Sequence, residues 1–327
     1  MASSEGVSTC ALPPFLSLLR RSLAAWGSLQ NEYRVASGIL QTYTDLDDFM
    51  CEKSAMFWFF QQREAFLSQK TMTKWNRNRL DQYILLPSFP GFVTRGECFF
   101  LSHFWQTKAH PDPDSTYLRL HQNELRLQPW SYIWVDWTCI PQYPRSQPEE
   151  LYFLRALKTM PGIIRNCGFT WLYPPFEARL WILFEIAEYT LTCDDDLAPT
   201  SDIAEYKEHI EEMIEVGVQP TLNRHGYRCT FDRDKEFLTS CLEVLVLLRR
   251  LGIDVGEVRR VMDHLTWPVG IHTIMCNIAA RGLLRLRLYE GIFILDGERY
   301  TFTPFPNWED GKYSEAALLG SISSVVN

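Results

Sequence analysis

Apolar residues recur along the chain at two different spacings, and the change between them divides it. Near the start, Phe15, Leu16, Leu19, Leu23 and Trp26 return every three or four residues, which predicts an amphipathic helix. Met1 to Pro14 lacks this rhythm and reads as a disordered start. A second helix is predicted over Asp47–Ser68, a segment rich in aromatic residues. Lys70, Lys74, Trp75, Arg77 and Arg79 then form a short basic segment, read as a solvated helix face in preference to a polyanion contact.

After the break at Pro87–Pro90, short apolar runs alternate with helical stretches, the pattern of a parallel sheet with crossover helices. Cys98–Ser102, Tyr132–Trp137 and Gly168–Leu172 are the predicted strands, rich in aromatic and β-branched residues. Ser115–Leu127, Glu149–Met160 and Ala178–Leu191 are the predicted helices. In such a sheet the C-terminal strand ends make the edge where ligands usually bind.

Beyond this core, Phe237–Leu251, Val255–Leu265 and Val269–Ala280 read as three helices. Leu283–Tyr289 and Ile292–Thr303 follow as a hairpin with turns at Glu290-Gly291 and Asp296-Gly297. Three helices and a hairpin is the layout of a winged helix. The expected organisation is therefore a helical segment over 1–90, an α/β core over 91–193, and a helical region over 194–327 with a winged-helix-like end. Arg249, Arg250, Arg259, Arg260, Arg281, Arg285 and Arg287 give that end a basic bias. A nucleic-acid-binding face and a packing unit with solvated arginines both account for it.

Composition narrows the class. A chain of 327 residues that is 46% hydrophobic and 14% aromatic supports packed cores and excludes wholesale disorder. The net charge of -8 argues against coating nucleic acid by bulk charge. Nine cysteines stand singly, without a CxxC pair or zinc-ligand spacing, and are read as reduced thiols with no metal. Arg20 and Arg21 interrupt the early apolar stretch, and no window holds the roughly twenty uncharged apolar residues of a membrane span. A cytoplasmic protein without membrane contact is expected.

The candidate chemistry lies in the core. Trp181 and Glu185 are one helical turn apart, so a helix across the sheet edge can bury the indole and present the carboxylate. A carboxylate on an aromatic wall is partly desolvated, which raises its pKa and suits it to proton transfer. Asp136 ends the central strand, in the crevice region, and Arg179 pairs with one of these two carboxylates. Cys139 beside a strand is read as packing more readily than as a nucleophile. His103 serves either as a base or as a loop hydrogen-bonder. In His110-Pro111-Asp112-Pro113-Asp114 the carboxylates either select a cationic substrate or, as favoured here, cap the next helix. Asp194-Asp195-Asp196 is an acidic run with the composition of either a metal site or a solvated loop.

Three segments resemble the related TIR and fungal heterokaryon-incompatibility (HET) domains. Phe100-Leu101-Ser102-His103-Phe104-Trp105 looks like the HET opening strand, with Ser and Trp near its end. Trp134-Val135-Asp136-Trp137-Thr138-Cys139-Ile140-Pro141-Gln142 is similar to the HET segment of Trp, an aliphatic, Asp, two variable positions, Cys, Ile, one variable position and Gln. In Arg179-Leu180-Trp181-Ile182-Leu183-Phe184-Glu185, Trp and Glu stand four apart as in both families. The resemblance spans roughly residues 95–192. It implies a parallel-sheet α/β core and cleavage of the nicotinamide–ribose bond of NAD, with Glu185 matching the catalytic glutamate.

A second resemblance covers the whole chain. Its size, the Leu-Ser-His-Phe-Trp and Trp-Val-Asp-Trp-Thr-Cys segments and the stretch from Arg179 to Tyr189 look like the fungal arginine-containing cyclodipeptide synthases. That implies condensation of arginine with a second amino acid into a diketopiperazine for a secondary metabolite, from arginyl-tRNA and a second aminoacyl-tRNA. No catalytic motif is carried over from that family. Asp136 and Glu185 are then the leading carboxylates for a guanidinium pocket, with Glu185 or His103 to deprotonate the attacking amine. The expected site comprises Glu185, Asp136 and His103 as catalytic groups, and Ser102, Trp105, Trp137, Cys139, Arg179 and Trp181 against the substrate, with no cofactor and no metal. The basic C-terminal unit places the synthase ahead of NAD cleavage. A non-catalytic signalling module acting by self-association is the third alternative.

Overall fold

The computed structural model describes residues 12–26, 31–53, 55–107, 109–173, 176–193, 197, 200–266, 272–279 and 281–306. Much of the first fourteen residues and the run Asp194-Asp195-Asp196 lie outside this set.

The chain opens with α1 (Pro14–Trp26), α2 (Asn31–Leu40) and α3 (Leu46–Cys51). The apolar stripe that predicts α1 is buried as expected, with Phe15, Leu18, Leu19 and Trp26 facing the interior. The expected long helix over Asp47–Ser68 is not one element. After α3 the chain extends into β1 (Phe57–Gln62) and turns into α4 (Arg63–Leu67). The physical reason is the run Phe-Trp-Phe-Phe, buried on both faces: bulky aromatics fit a pleated surface better than a helix. β2 (Tyr83–Pro87) returns antiparallel to β1. The basic segment between them is irregular rather than a helix face. Trp75 is buried, Lys74 donates to the carbonyl of Tyr143 and Arg77 pairs with Asp47.

The core follows as β3 (Cys98–His103), α5 (Thr116–Leu125), β4 (Tyr132–Trp134), the single turn α6 (Asp136–Cys139), α7 (Gln147–Thr159), α8 (Pro161–Asn166), β5 (Gly168–Leu172) and α9 (Leu180–Leu191). The five-stranded sheet has the order β2-β1-β4-β3-β5. β3 is parallel to β4 and β5, as expected, but β1 joins β4 antiparallel, so the sheet is mixed. The α/β class holds, while the first ninety residues contribute two strands as well as helices.

Alternation along the strands sends side chains to two separate cores. Phe100 stacks between Trp134 and Phe169, at 5.2 and 5.7 Å, on the face that α9 covers. Leu101, Ile133 and Val135 point the other way and pack with Leu118 and Leu125 of α5. Gly168 fits this register because a Cβ there would come within 2.8 Å of the Phe99 ring.

Two further helices, α10 (Ala204–Val216) and α11 (Val218–Arg224), lead to the long α12 (Asp232–Arg250) and α13 (Val255–Leu265). The expected third helix over Val269–Ala280 is instead β6 (Thr273–Ile278), whose burial alternates residue by residue. With β7 (Gly282–Arg287), β8 (Ile292–Leu295) and β9 (Glu298–Thr301) it forms an antiparallel meander. The third of the three predicted helices is therefore a strand, and the hairpin expected after it is part of a four-stranded meander. Period-two burial in Thr-Ile-Met-Cys-Asn-Ile decides the element.

A buried Arg165–Glu188 pair, extended to the half-exposed Asp263, joins α8, α9 and α13. Arg165 contacts Glu188, Asp263 at 2.9 Å and the Thr266 hydroxyl at 2.7 Å. Burial opposes the charge of Arg165, but the two carboxylates outweigh it and hold its pKa above the ordinary value. For Glu188, burial wins over Arg165 and the pKa rises.

Candidate functional site

The site forms where the C-terminal ends of β3, β4 and β5 meet the start of α9. Consecutive residues of β3 supply it from opposite faces of the sheet: Ser102 points toward α9 and His103 toward α5.

On the α9 side, the Ser102 hydroxyl donates to a carboxylate oxygen of Glu185, and the Tyr173 hydroxyl donates to Ser102 Oγ at 2.6 Å. Glu185 projects, part-buried, from a helix that is otherwise largely apolar. Burial pushes its carboxyl up to about 8; the Ser102 hydrogen bond opposes this and the charge of Asp136 adds to it. The influence of Asp136 places the two carboxylates in one electrostatic unit.

On the other side, Asp136 begins the turn after β4. Its Oδ1 lies 2.7 Å from His103 Nε2, and its Oδ2 accepts from the Trp105 indole N–H at 3.0 Å. The backbone N–H of Trp137 also donates to Asp136. Burial opposes its charge, but His103, Trp105 and Trp137 together hold its carboxyl below the usual range. The side chain keeps 34% of its surface exposed, so an incoming group can reach it.

The motif spacing after β4 has a local cause. Cys139 N–H donates to Val135 O at 2.8 Å and closes the turn, and Gln142 Nε2 donates to the carbonyls of Asp136 and Ile140 at 2.9 and 3.2 Å. Asp136 is therefore held from its own backbone and from the turn that follows.

Of the expected site residues, the structure makes two groups on opposite faces of the sheet edge, Glu185 with Ser102 on the α9 side and Asp136 with His103 and Trp105 on the α5 side. Four others are placed differently from expectation. Cys139 is fully buried, and burial pushes its thiol up to about 11, so it is neither a nucleophile nor a substrate contact. Trp137 is buried beneath Trp105, ring to ring at 5.2 Å, with its N–H on Met72 O at 3.2 Å; it supports the wall rather than forming it. Arg179 pairs with Glu177 at 3.3 Å and stacks over Phe104 at 3.7 Å, not with either site carboxylate. Trp181 faces Asp234 at the start of α12 and packs edge-on against Phe184 at 6.3 Å, so it braces the helix end rather than meeting substrate. Ser102 itself is only 1% exposed and acts on Glu185 rather than on a ligand.

Asp112 caps α5, as favoured, accepting from the N–H groups of Tyr117 and Leu118 at 3.2 and 2.8 Å. Sequence reasoning missed Tyr173, although its position just past a strand end in the edge region was a usable signal. It also missed His121 of α5, a buried imidazole 3.4 Å from the Thr170 hydroxyl, which nothing in the local pattern marks.

The basic C-terminal unit looks different in three dimensions. Arg259 donates to the carbonyls of Arg165 and Thr192, Arg260 pairs with Glu257, Arg281 with Asp296 at 2.7 Å, and Arg287 with Glu290 at 3.1 Å. Arg285 and Arg299 stand on the exposed face of the meander, both opposite Ile294. Among the described residues no group of three or more His, Cys, Asp or Glu side chains is arranged to hold a metal ion, and no helix is long and apolar enough to cross a membrane. No family model, no curated protein and no solved structure matches the chain.

Proposed function

We propose that the chain is an aminoacyl-tRNA-dependent synthase that condenses arginine with a second amino acid into a cyclodipeptide. The observation that carries the reading is the separation of two neighbouring carboxylates: Glu185 is pushed up to about 8 while Asp136 is held ionised. Neighbours whose pKa values are driven apart take different roles. Asp136, one-third exposed and fixed by His103 and Trp105, is the acceptor for a planar guanidinium. Glu185 accepts the proton of an α-ammonium, and the freed amine attacks the ester carbonyl of the other aminoacyl group. An amide forms, the tRNA 3′-oxygen leaves with a proton, and repetition in the opposite sense closes the ring. Two ester bonds break, two amide bonds form and two tRNAs depart. The arginine and the tRNA come from the resemblance of the motifs, and the exposed Arg285 and Arg299 offer phosphate contacts.

The second reading is NAD cleavage, in which Glu185 stabilises an oxocarbenium-like ribosyl centre beside the Trp105 wall. The internal pairing of Arg259, Arg260, Arg281 and Arg287 favours it, because this chemistry requires no basic flank. Purified protein incubated with charged tRNA and, separately, with NAD decides between them by mass spectrometry. A nuclease-sensitive diketopiperazine is the expected product; nicotinamide release without it transfers the site to the second reading.

A further inference from the structure

Two buried imidazole nitrogens stand without partners beside the site: Nδ1 of His103 and Nε2 of His121. Both side chains are almost wholly enclosed, so neither nitrogen finds bulk water. Unpaired buried polar atoms are uncommon, and two on neighbouring residues call for a shared explanation. The strand register supplies it. Leu101 of β3 is beside Thr170 of β5, and His103 lies two residues further along the same face. His121 reaches down from α5 to that Thr170, and His103 lies near enough for its charge to act on the His121 ring.

The proton positions follow from the partners. Ionised Asp136 only accepts, so the His103 Nε2 at 2.7 Å carries a hydrogen. A ring with its one hydrogen on Nε2 presents Nδ1 as a bare acceptor. Burial pushes the His121 imidazole down to about 3, with His103 adding to the shift, so His121 is uncharged near neutrality. A neutral imidazole has one N–H and one lone pair. In the tautomer where the Thr170 hydroxyl donates to Nδ1 of His121, the N–H falls on Nε2.

We infer that His121 is a positioning residue for the site: its Nε2–H reaches Nδ1 of His103 through one bridging water, and thereby fixes the imidazole that donates to Asp136. The chain runs Thr170, His121, His103, Asp136, each donating to the next. A cationic substrate that reaches Asp136 then meets a carboxylate whose donor ring is fixed; this last step rests on the synthase reading. The groups facing the pair are Glu124 of α5, 3.9 Å from His121 Nδ1, together with Thr170, Asp136 and, through Asp136, Glu185.

The test reads His103 directly, through the ring-nitrogen chemical shifts of isotope-labelled histidine in the full chain, with the signal assigned by its loss in His103→Gln. The wild type shows a single tautomer with the proton on Nε2 and a hydrogen-bonded Nδ1. In His121→Leu the Nδ1 signal moves to that of an unbonded acceptor, and kcat in the charged-tRNA assay falls on the order of tenfold with little change in KM. His121→Gln, which retains a donor, recovers most of both. Thr170→Val, closely isosteric, shifts His103 in the same direction by less and serves if the leucine variant does not fold. Unchanged His103 shifts in His121→Leu or Thr170→Val overturn the inference. The spectroscopic arm needs no turnover, so failure to make cyclodipeptide tells against the synthase and leaves the assignment of His121 standing.

Discussion

Glu185 and Asp136 divide their labour through solvation and neighbours, and each gives a distinct prediction. If Glu185 takes up the amine proton, activity rises with pH through a midpoint near 8, and Glu185→Gln loses on the order of a hundredfold or more in turnover while remaining folded. The same carboxyl affects stability. Its folded pKa lies above the ordinary value of 4.5, so folding takes up a proton between the two. Stability is therefore greatest at the acidic end of that interval and falls as pH rises to about 8. Urea midpoints measured at both ends should converge in Glu185→Gln and differ in the wild type. Asp136→Asn keeps the shape but removes the charge, and should raise KM for the arginyl substrate more than it lowers turnover. Cys139→Ala should retain activity within about threefold, since the thiol only fills space.

At the scale of elements, the sequence marked the groups that a short pattern can hold. Asp136 at a strand end, Glu185 one turn from Trp181 and His103 beside the first strand were all legible, and Asp136 and His103 meet directly. What escaped were contacts made across long separations. Tyr173 meets Ser102 over 71 positions, and Arg165 meets Glu188 over 23 and Asp263 over 98. Arg179 pairs with Glu177, two residues away, because its helix start is tied to Arg228 by backbone hydrogen bonds of 2.9 Å in both directions. The same logic explains the misread elements: the runs at Phe57 and Thr273 take their form from the sheets they join, which no local window contains. The buried arginine makes α9 a firm support for Glu185. Arg165→Met strands Glu188 without a counter-charge and should destabilise the fold by about 3–5 kcal/mol in urea unfolding. Replacing both Arg165 and Glu188 by Met should recover much of that loss.

Across the whole molecule, the α/β class and the three parallel strands were readable because buried strands announce themselves by composition. The mixed sheet was not, since nothing local says that β1 will lie between β2 and β4. That insertion bears on how the protein can be cut. A fragment starting at Gly91 retains every residue of the candidate site, yet it strips β4 of its neighbour and uncovers the aromatic surface that Phe57, Phe59 and Phe60 bury. Such a fragment should precipitate when made alone and be rescued when co-produced with residues 12–90, so that two inert halves regain the wild-type sheet by complementation.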